Sequence, residues 1–243
     1  MEANMRFIKE KDYKALSKRA GSIIASQVIL NPECVLGLAT GSSPIGTYEY
    51  LIELYKNGLL DFENVKTVNL DEYAGLKHTD PQSYFQFMKV NLFDKINIKS
   101  TRVPNGNTSN LEDECEIFED YIAKLGGVDL QLLGLGHNGH IGFNEPADSF
   151  SVKTHIVDLS ESTINANERF FNSKDEVPRQ AITMGIGTIM KARKILLIVN
   201  GKAKADIVKQ AFLGAVTPNV PASILQLHPD VTIVGDEEAF SKL

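Results

Sequence analysis

Apolar positions along the chain alternate between a helical rhythm and short solid runs, and that alternation is the first structural signal. Asp12 is suited to cap a helix in which Leu16, Ala20, Ile23 and Gln27/Val28 recur at helical spacing. Residues 34–39 then read as a short buried strand, and residues 45–56 as a helix closed by Gly58. The pattern repeats with a strand at 65–70, a helix opened by Pro81, and a loop through Pro104-Asn105-Gly106-Asn107. A helix with the capping box Ser109-x-x-Glu112 follows and ends at Gly126-Gly127. Further strands are expected at 128–135, 154–159, 181–184, 194–200 and 231–234, and further helices at 162–171 and 203–213.

Strands that read as aliphatic runs, without polar alternation, are buried on both faces. The pattern therefore predicts an α/β protein, a single three-layer Rossmann-like domain with a mostly parallel sheet flanked by helices, spanning residues 1–243. There is no repeat, low-complexity tract or Ser/Gly-rich linker to divide it. Composition agrees: 43% hydrophobic and 23% charged residues exclude disordered, fibrous and disulfide-scaffold classes. With 25 Lys+Arg against 31 Asp+Glu the net charge is −6, so no nucleic-acid partner is expected.

The aliphatic run Ile195-Leu196-Leu197-Ile198-Val199 falls far short of the roughly 20 residues of a membrane span, so no membrane partner is expected either. The polar start lacks the apolar centre of a secretory signal, and Cys34 and Cys115 lie far apart without metal-type spacing. Both features predict a cytoplasmic protein with reduced thiols, in which the sequon Asn107-Thr108-Ser109 is a chance match.

In an open parallel sheet, ligands bind beyond the carboxyl ends of the strands. Three such segments are unusually polar. Thr40-Gly41-Ser42-Ser43-Pro44 runs into a helix start, where small residues and free N–H groups suit an anion, although a turn that binds nothing has the same composition. It lacks the Gly-Lys-Ser/Thr ending of a Walker loop. Asp71-Glu72-Tyr73 places a carboxylate where a general base would stand, a position that turn formers and helix caps also occupy.

The densest cluster is Gly134-Leu135-Gly136-His137-Asn138-Gly139-His140-Ile141-Gly142-Phe143-Asn144-Glu145-Pro146. It contains Gly134-x-Gly136-x-x-Gly139, and Asp158 sits near the distance of a ribose-binding acid, but Gly142, Asn144 and Pro146 prevent the helix a dinucleotide fingerprint needs. His137-x-x-His140 with Glu145 has metal-ligand chemistry without the i, i+4 spacing of a helical zinc site, so neither a metal nor a cofactor is expected. Downstream, Arg169, Lys202 and Lys204 are cations near strand ends, able to neutralise a phosphate or simply to face solvent.

Four segments together resemble the glucosamine-6-phosphate deaminase family: residues 36–44, Asn69-Leu70-Asp71-Glu72-Tyr73, residues 136–146, and Leu225-Gln226-Leu227-His228-Pro229. The resemblance runs from the first expected strand nearly to the end. It implies conversion of glucosamine 6-phosphate and water to fructose 6-phosphate and ammonia, an aldose–ketose isomerisation coupled to deamination in amino-sugar catabolism. By position, Asp71 would move the proton between carbons 2 and 1. His140, supported by Glu145 and Asn138, would open the sugar ring. Thr40, Gly41, Ser42, Ser43, Arg169 and Lys204 would hold the phosphate, with Lys202 a weaker candidate, and Glu72 would join the substrate-binding groups.

The chemistry fits without help, because the opened sugar's aldehyde acidifies the neighbouring carbon and supplies its own electron sink. Asn138 stands where some relatives carry Asp, which puts a carboxylate relay at that position in doubt. The short end after Phe240 resembles non-allosteric members, so a monomer is favoured over a hexamer. The rival readings are a 6-phosphogluconolactonase-like hydrolase on the same fold and a non-catalytic sugar-phosphate sensor.

Overall fold

Ile195 through Val199 are buried without a break, and consecutive strand residues point to opposite faces, so both faces of this strand are covered by protein. The computed structural model, which describes residues 4–168, 171 and 173–243, shows how. The strands are β1 (Asn4–Glu10), β2 (Val35–Leu38), β3 (Lys66–Asn69), β4 (Asp71–Tyr73), β5 (Ser100–Arg102), β6 (Leu130–Gly134), β7 (His155–Asp158), β8 (Gln180–Thr183), β9 (Lys194–Val199) and β10 (Asp230–Asp236). The helices are α1 (Tyr13–Leu30), α2 (Ile45–Lys56), α3 (Tyr84–Asn91), α4 (Leu111–Lys124), α5 (Glu161–Asn167), α6 (Ile186–Ile189) and α7 (Ala205–Leu213).

Seven strands form one sheet in the order β1-β10-β9-β6-β2-β3-β5, with every neighbouring pair parallel. The chain leaves β2 toward β3 and β5, then returns on the other side of β2 through β6, β9 and β10. That reversal between β2 and β6 is a topological switch point, where strand ends diverge and leave a crevice.

The helix boundaries follow local chemistry. Asp12 caps α1 by accepting the Ala15 N–H at 2.8 Å. The expectation for α2 matches its observed span. Two starts differ from the sequence reading. Ser83, not Pro81, caps α3 by accepting the Gln86 N–H, and Asn110 caps α4 by accepting from Asp113, one residue beyond the expected box. Several side chains near each start can accept an amide hydrogen bond, and the backbone path selects one.

The strands expected at 154–159 and 181–184 do exist, yet they lie outside the parallel sheet. As β7 and β8 they form a three-stranded antiparallel sheet with β4, in the order β4-β8-β7. Asp71 pairs with Thr183 in this sheet, and the Met184 N–H donates to the Leu70 carbonyl at 2.7 Å, which anchors it to the end of β3. A second small core of Tyr73, Phe143, Leu159, Ile164, Val177 and Ala181 lies against it. The edge strands β1 and β5 carry no solid apolar run, since each pairs on one side only; neither is apparent from periodicity. Among the described residues no helix is long and apolar enough to cross a membrane.

Candidate active site

Strands β9, β6, β2 and β3 are consecutive in the sheet and parallel, so the segments that follow them meet at one edge. There they line a cavity of about 250 Å³ that takes in Thr40, Gly41, Ser42, Ser43, Asp71, His137, His140 and Lys204. Sequence-distant segments therefore share one site because the sheet brings their strand ends together.

One end of the cavity suits an anion. The 40–44 segment feeds α2, whose start at Pro44 has no side-chain cap, so the positive end of the helix faces this loop. Tyr13 of α1 braces the segment: its hydroxyl lies 3.1 Å from the Ser42 and Ser43 carbonyl oxygens and accepts the Gly46 N–H at 3.0 Å. Tyr48 of α2 holds the entrance by donating to the Ala39 carbonyl. Lys204, in the turn after β9, donates to the Leu135 carbonyl at 2.6 Å, and burial lowers its pKa from the ordinary lysine value. Lys202 is exposed and lies outside the cavity lining. Arg169 lies outside the described residues.

Asp71 is 6% exposed, and burial, followed by the charge of Glu72, pushes its carboxyl up to about 8. Gly142 gives access to it: a Cβ there would come within 2.9 Å of Thr183 Oγ1 and 3.5 Å of Asp71 Oδ2, and its φ of +59° also favours glycine. Glu72, expected to bind substrate, does not line the cavity. Its carboxylate is fully buried and accepts the backbone N–H groups of Tyr73, Tyr84 and Phe85 at 2.8–2.9 Å. Burial is the largest influence on Glu72 and pushes it up to about 7, against the pull of those three hydrogen bonds. Buried, absent from the cavity lining and turned to the backbone amides of Tyr73 and of the start of α3, Glu72 is a helix-start anchor and a neighbour of Asp71.

The third group sits in the turns of residues 135–145, which form no helix. Asn138 Nδ2 donates to Glu145 Oε2, so Asn138 Oδ1 is left as acceptor. His140 Nδ1 stands 2.8 Å from that oxygen and must therefore carry the proton, which leaves Nε2 as the basic nitrogen. Glu145 Oε1 is 3.6 Å from His140 Nδ1 and receives the Thr163 hydroxyl hydrogen bond. Burial acts to raise the Glu145 carboxyl, but His140, Thr163 and Asn138 outweigh it and hold it down at about 2. Gly136 makes room for the ring: a Cβ there would stand 2.3 Å from three His140 atoms. The His137 ring meets His140 edge-on with centroids 5.8 Å apart.

The structure thus brings Thr40, Gly41, Ser42, Ser43, Asp71, His140 and Lys204 to one cavity, with Asn138 and Glu145 directly behind His140. Sequence reasoning missed Tyr84 and Thr163, which also line it. Tyr84 stacks on Phe143 with rings 8° from parallel, and Thr163 belongs to α5. Neither belongs to a recognisable motif; each arrives through the small sheet and its core.

A three-layer fold with a small-residue loop at a helix start and a buried carboxylate beside its switch point is the frame of a sugar-phosphate-isomerase family, and the chain belongs to the family described as glucosamine-6-phosphate isomerases/6-phosphogluconolactonase, matched over residues 9–234. Within that family it is similar to the glucosamine-6-phosphate deaminase of Thermoanaerobacter pseudethanolicus, 55% identical over 239 residues, covering 98% of this chain and 94% of that protein. The glucosamine-6-phosphate deaminase of Lachnoclostridium phytofermentans is 58% identical over 232 residues, 95% of this chain and 98% of that one. The solved structure of a monomeric glucosamine-6-phosphate deaminase matches with TM-score 0.96 at 47% identity, covering 98% of this chain and 100% of that chain. A 6-phosphogluconolactonase from Trypanosoma cruzi matches with TM-score 0.78 at 19% identity, over 100% of this chain and 98% of that one, a likeness of fold alone.

Proposed function

We propose that this chain is a glucosamine-6-phosphate deaminase, acting as one sugar-phosphate domain and as a monomer, and that its cavity carries out ring opening, proton transfer and loss of ammonia in succession. The observation that carries the reading is the pairing, in one cavity, of a buried carboxylate with a histidine whose tautomer is preset. The similarity to deaminases over nearly the whole chain supports it, and the monomeric deaminase structure supports the oligomeric state.

His140 Nε2 takes the proton of the anomeric hydroxyl and delivers it to the ring oxygen, opening the pyranose. During the transfer the imidazolium is steadied by Asn138 and Glu145. The aldehyde now acidifies the hydrogen on carbon 2; Asp71, deprotonated, removes it and returns it to carbon 1, while a proton of the carbon-2 amine passes to the carbon-1 oxygen. The resulting imine at carbon 2 is hydrolysed by water, releasing ammonia and leaving the ketose phosphate. Thr40, Gly41, Ser42, Ser43 and Lys204, with Arg169 added on sequence grounds, hold the phosphate, whose binding energy positions the reacting carbons.

The test is ammonia release from glucosamine 6-phosphate by purified protein in EDTA, with fructose 6-phosphate measured in parallel and no cofactor added. Equal amounts of both products are expected. Hydrolysis of a sugar lactone with no ammonia release would point to the lactonase, which also needs no exchange of the carbon-2 hydrogen with deuterated water. Thermal protection by the phosphosugar with no turnover would point to the sensor.

A further inference from the structure

We propose that Thr163 is a positioning residue for ring opening, locking the Glu145 carboxylate so that the His140 Nδ1–H stays on Asn138. The inference rests on the deaminase reading above and adds a residue that no motif marks.

Glu145 has two oxygens and more than one donor within reach. Oε2 is taken by Asn138 Nδ2, while Oε1 stands 3.6 Å from His140 Nδ1. A small rotation of the carboxylate would let Oε1 take the Nδ1–H directly, turning the imidazole away from Asn138 and moving Nε2. The Thr163 hydroxyl, with Ser160 Oγ at 3.3 Å, binds Oε1 where it is and removes the reason for that rotation. The protonated Nδ1 then has Asn138 Oδ1 as its near partner, at 2.8 Å.

Thr163 is itself held in place. It is 3% exposed, and its N–H donates to Ser160 Oγ, the N-cap of α5, at 3.2 Å. The next residue, Ile164, is buried in the small core with Tyr73 and Phe143. The docking of α5 on that core therefore sets where the Thr163 hydroxyl points. Since Thr163 also lines the cavity, this clamp sits at the reacting site.

The test compares Thr163→Val, which keeps the shape and removes the hydroxyl, with Thr163→Ser, which keeps the hydroxyl. Turnover of glucosamine 6-phosphate is measured together with inhibition by the reduced, open-chain amino alditol 6-phosphate, which needs no ring opening to bind. Valine is expected to lower kcat roughly 10- to 100-fold, the range for losing a hydrogen bond to a charged group. KM and the alditol inhibition constant should stay within about twofold, and serine should restore kcat to within about threefold. Near wild-type kcat in the valine variant, or equal losses in valine and serine, would overturn the inference. Should valine prevent folding, Thr163→Ala takes its place in the comparison, with the same outcomes. A wild-type protein inactive on glucosamine 6-phosphate would instead sink the deaminase reading itself.

Discussion

Asp71 shows how much a single residue's environment decides. Burial and the adjacent Glu72 push its carboxyl up to about 8, so the group we propose as base is poised near neutrality instead of being a fully ionised surface acid. Asp71→Asn should lower kcat by about 10²- to 10⁴-fold with little change in KM, measured as ammonia release, because the proposed phosphate contacts lie elsewhere. In the wild type kcat/KM should climb as pH rises toward about 8, since the base works deprotonated. Stability should move the other way. The folded protein keeps a proton on Asp71 at pH values where the unfolded chain, near its ordinary 3.8, has lost it, so this contribution is full below that pH and lost as pH rises through about 8. Thermal melts should accordingly show Asp71→Asn gaining on wild type across that window. Glu72→Gln tests the neighbour: it turns the oxygen facing the Phe85 N–H into a donor and should cost about 1–3 kcal/mol in denaturant unfolding. By removing the nearby charge it should also move the acid limb of kcat/KM to lower pH. Asp71 was legible in the sequence as a carboxylate at a strand end. Glu72 was expected among the substrate-binding groups, and only the folded start of α3 brings the Tyr84 and Phe85 amides to it, beside the amide of neighbouring Tyr73.

At the scale of elements, the turns after β6 and the turn after β9 do the positioning. The close approach of Gly136 to the His140 ring predicts that Gly136→Ala displaces the imidazole by about an ångström and lowers kcat roughly 100-fold, while a circular-dichroism spectrum stays native. Lys204 reaches back from the β9 turn to the β6 loop, and Lys204→Met should raise KM for the phosphosugar by about 10- to 100-fold with a smaller effect on kcat, checked by steady-state kinetics. Element positions were largely readable, because the apolar period and the caps are local. The strands at β7 and β8 were found, but their pairing was not. An aliphatic strand carries no mark of which sheet will take it, and the antiparallel direction emerges only when β4 and the Leu70–Met184 hydrogen bond close the small sheet.

Across the whole molecule, the parallel order β9-β6-β2-β3 gathers four loops at one edge, and the small sheet with its core of Tyr73, Phe143 and Ile164 adds Tyr84 and Thr163 to them. Under the proposed function, a phosphosugar bridging these loops would bind the folded state alone. At 100 times its dissociation constant it should stabilise the protein by about 2.7 kcal/mol, seen as a raised Tm, and the particle should sediment as one chain with or without it. The sequence by itself determined the alternation of strands and helices, the parallel sheet, and the polar segments that carry Asp71, His140 and the anion loop, because period, capping and small-residue turns act over a few neighbours. Only the tertiary structure decided that Glu72 faces inward to α3, that the Thr163 hydroxyl reaches the Glu145 carboxylate behind His140, and that Lys204 reaches the Leu135 carbonyl. Each of those depends on burial and on contacts between residues distant in the chain, which no local pattern encodes.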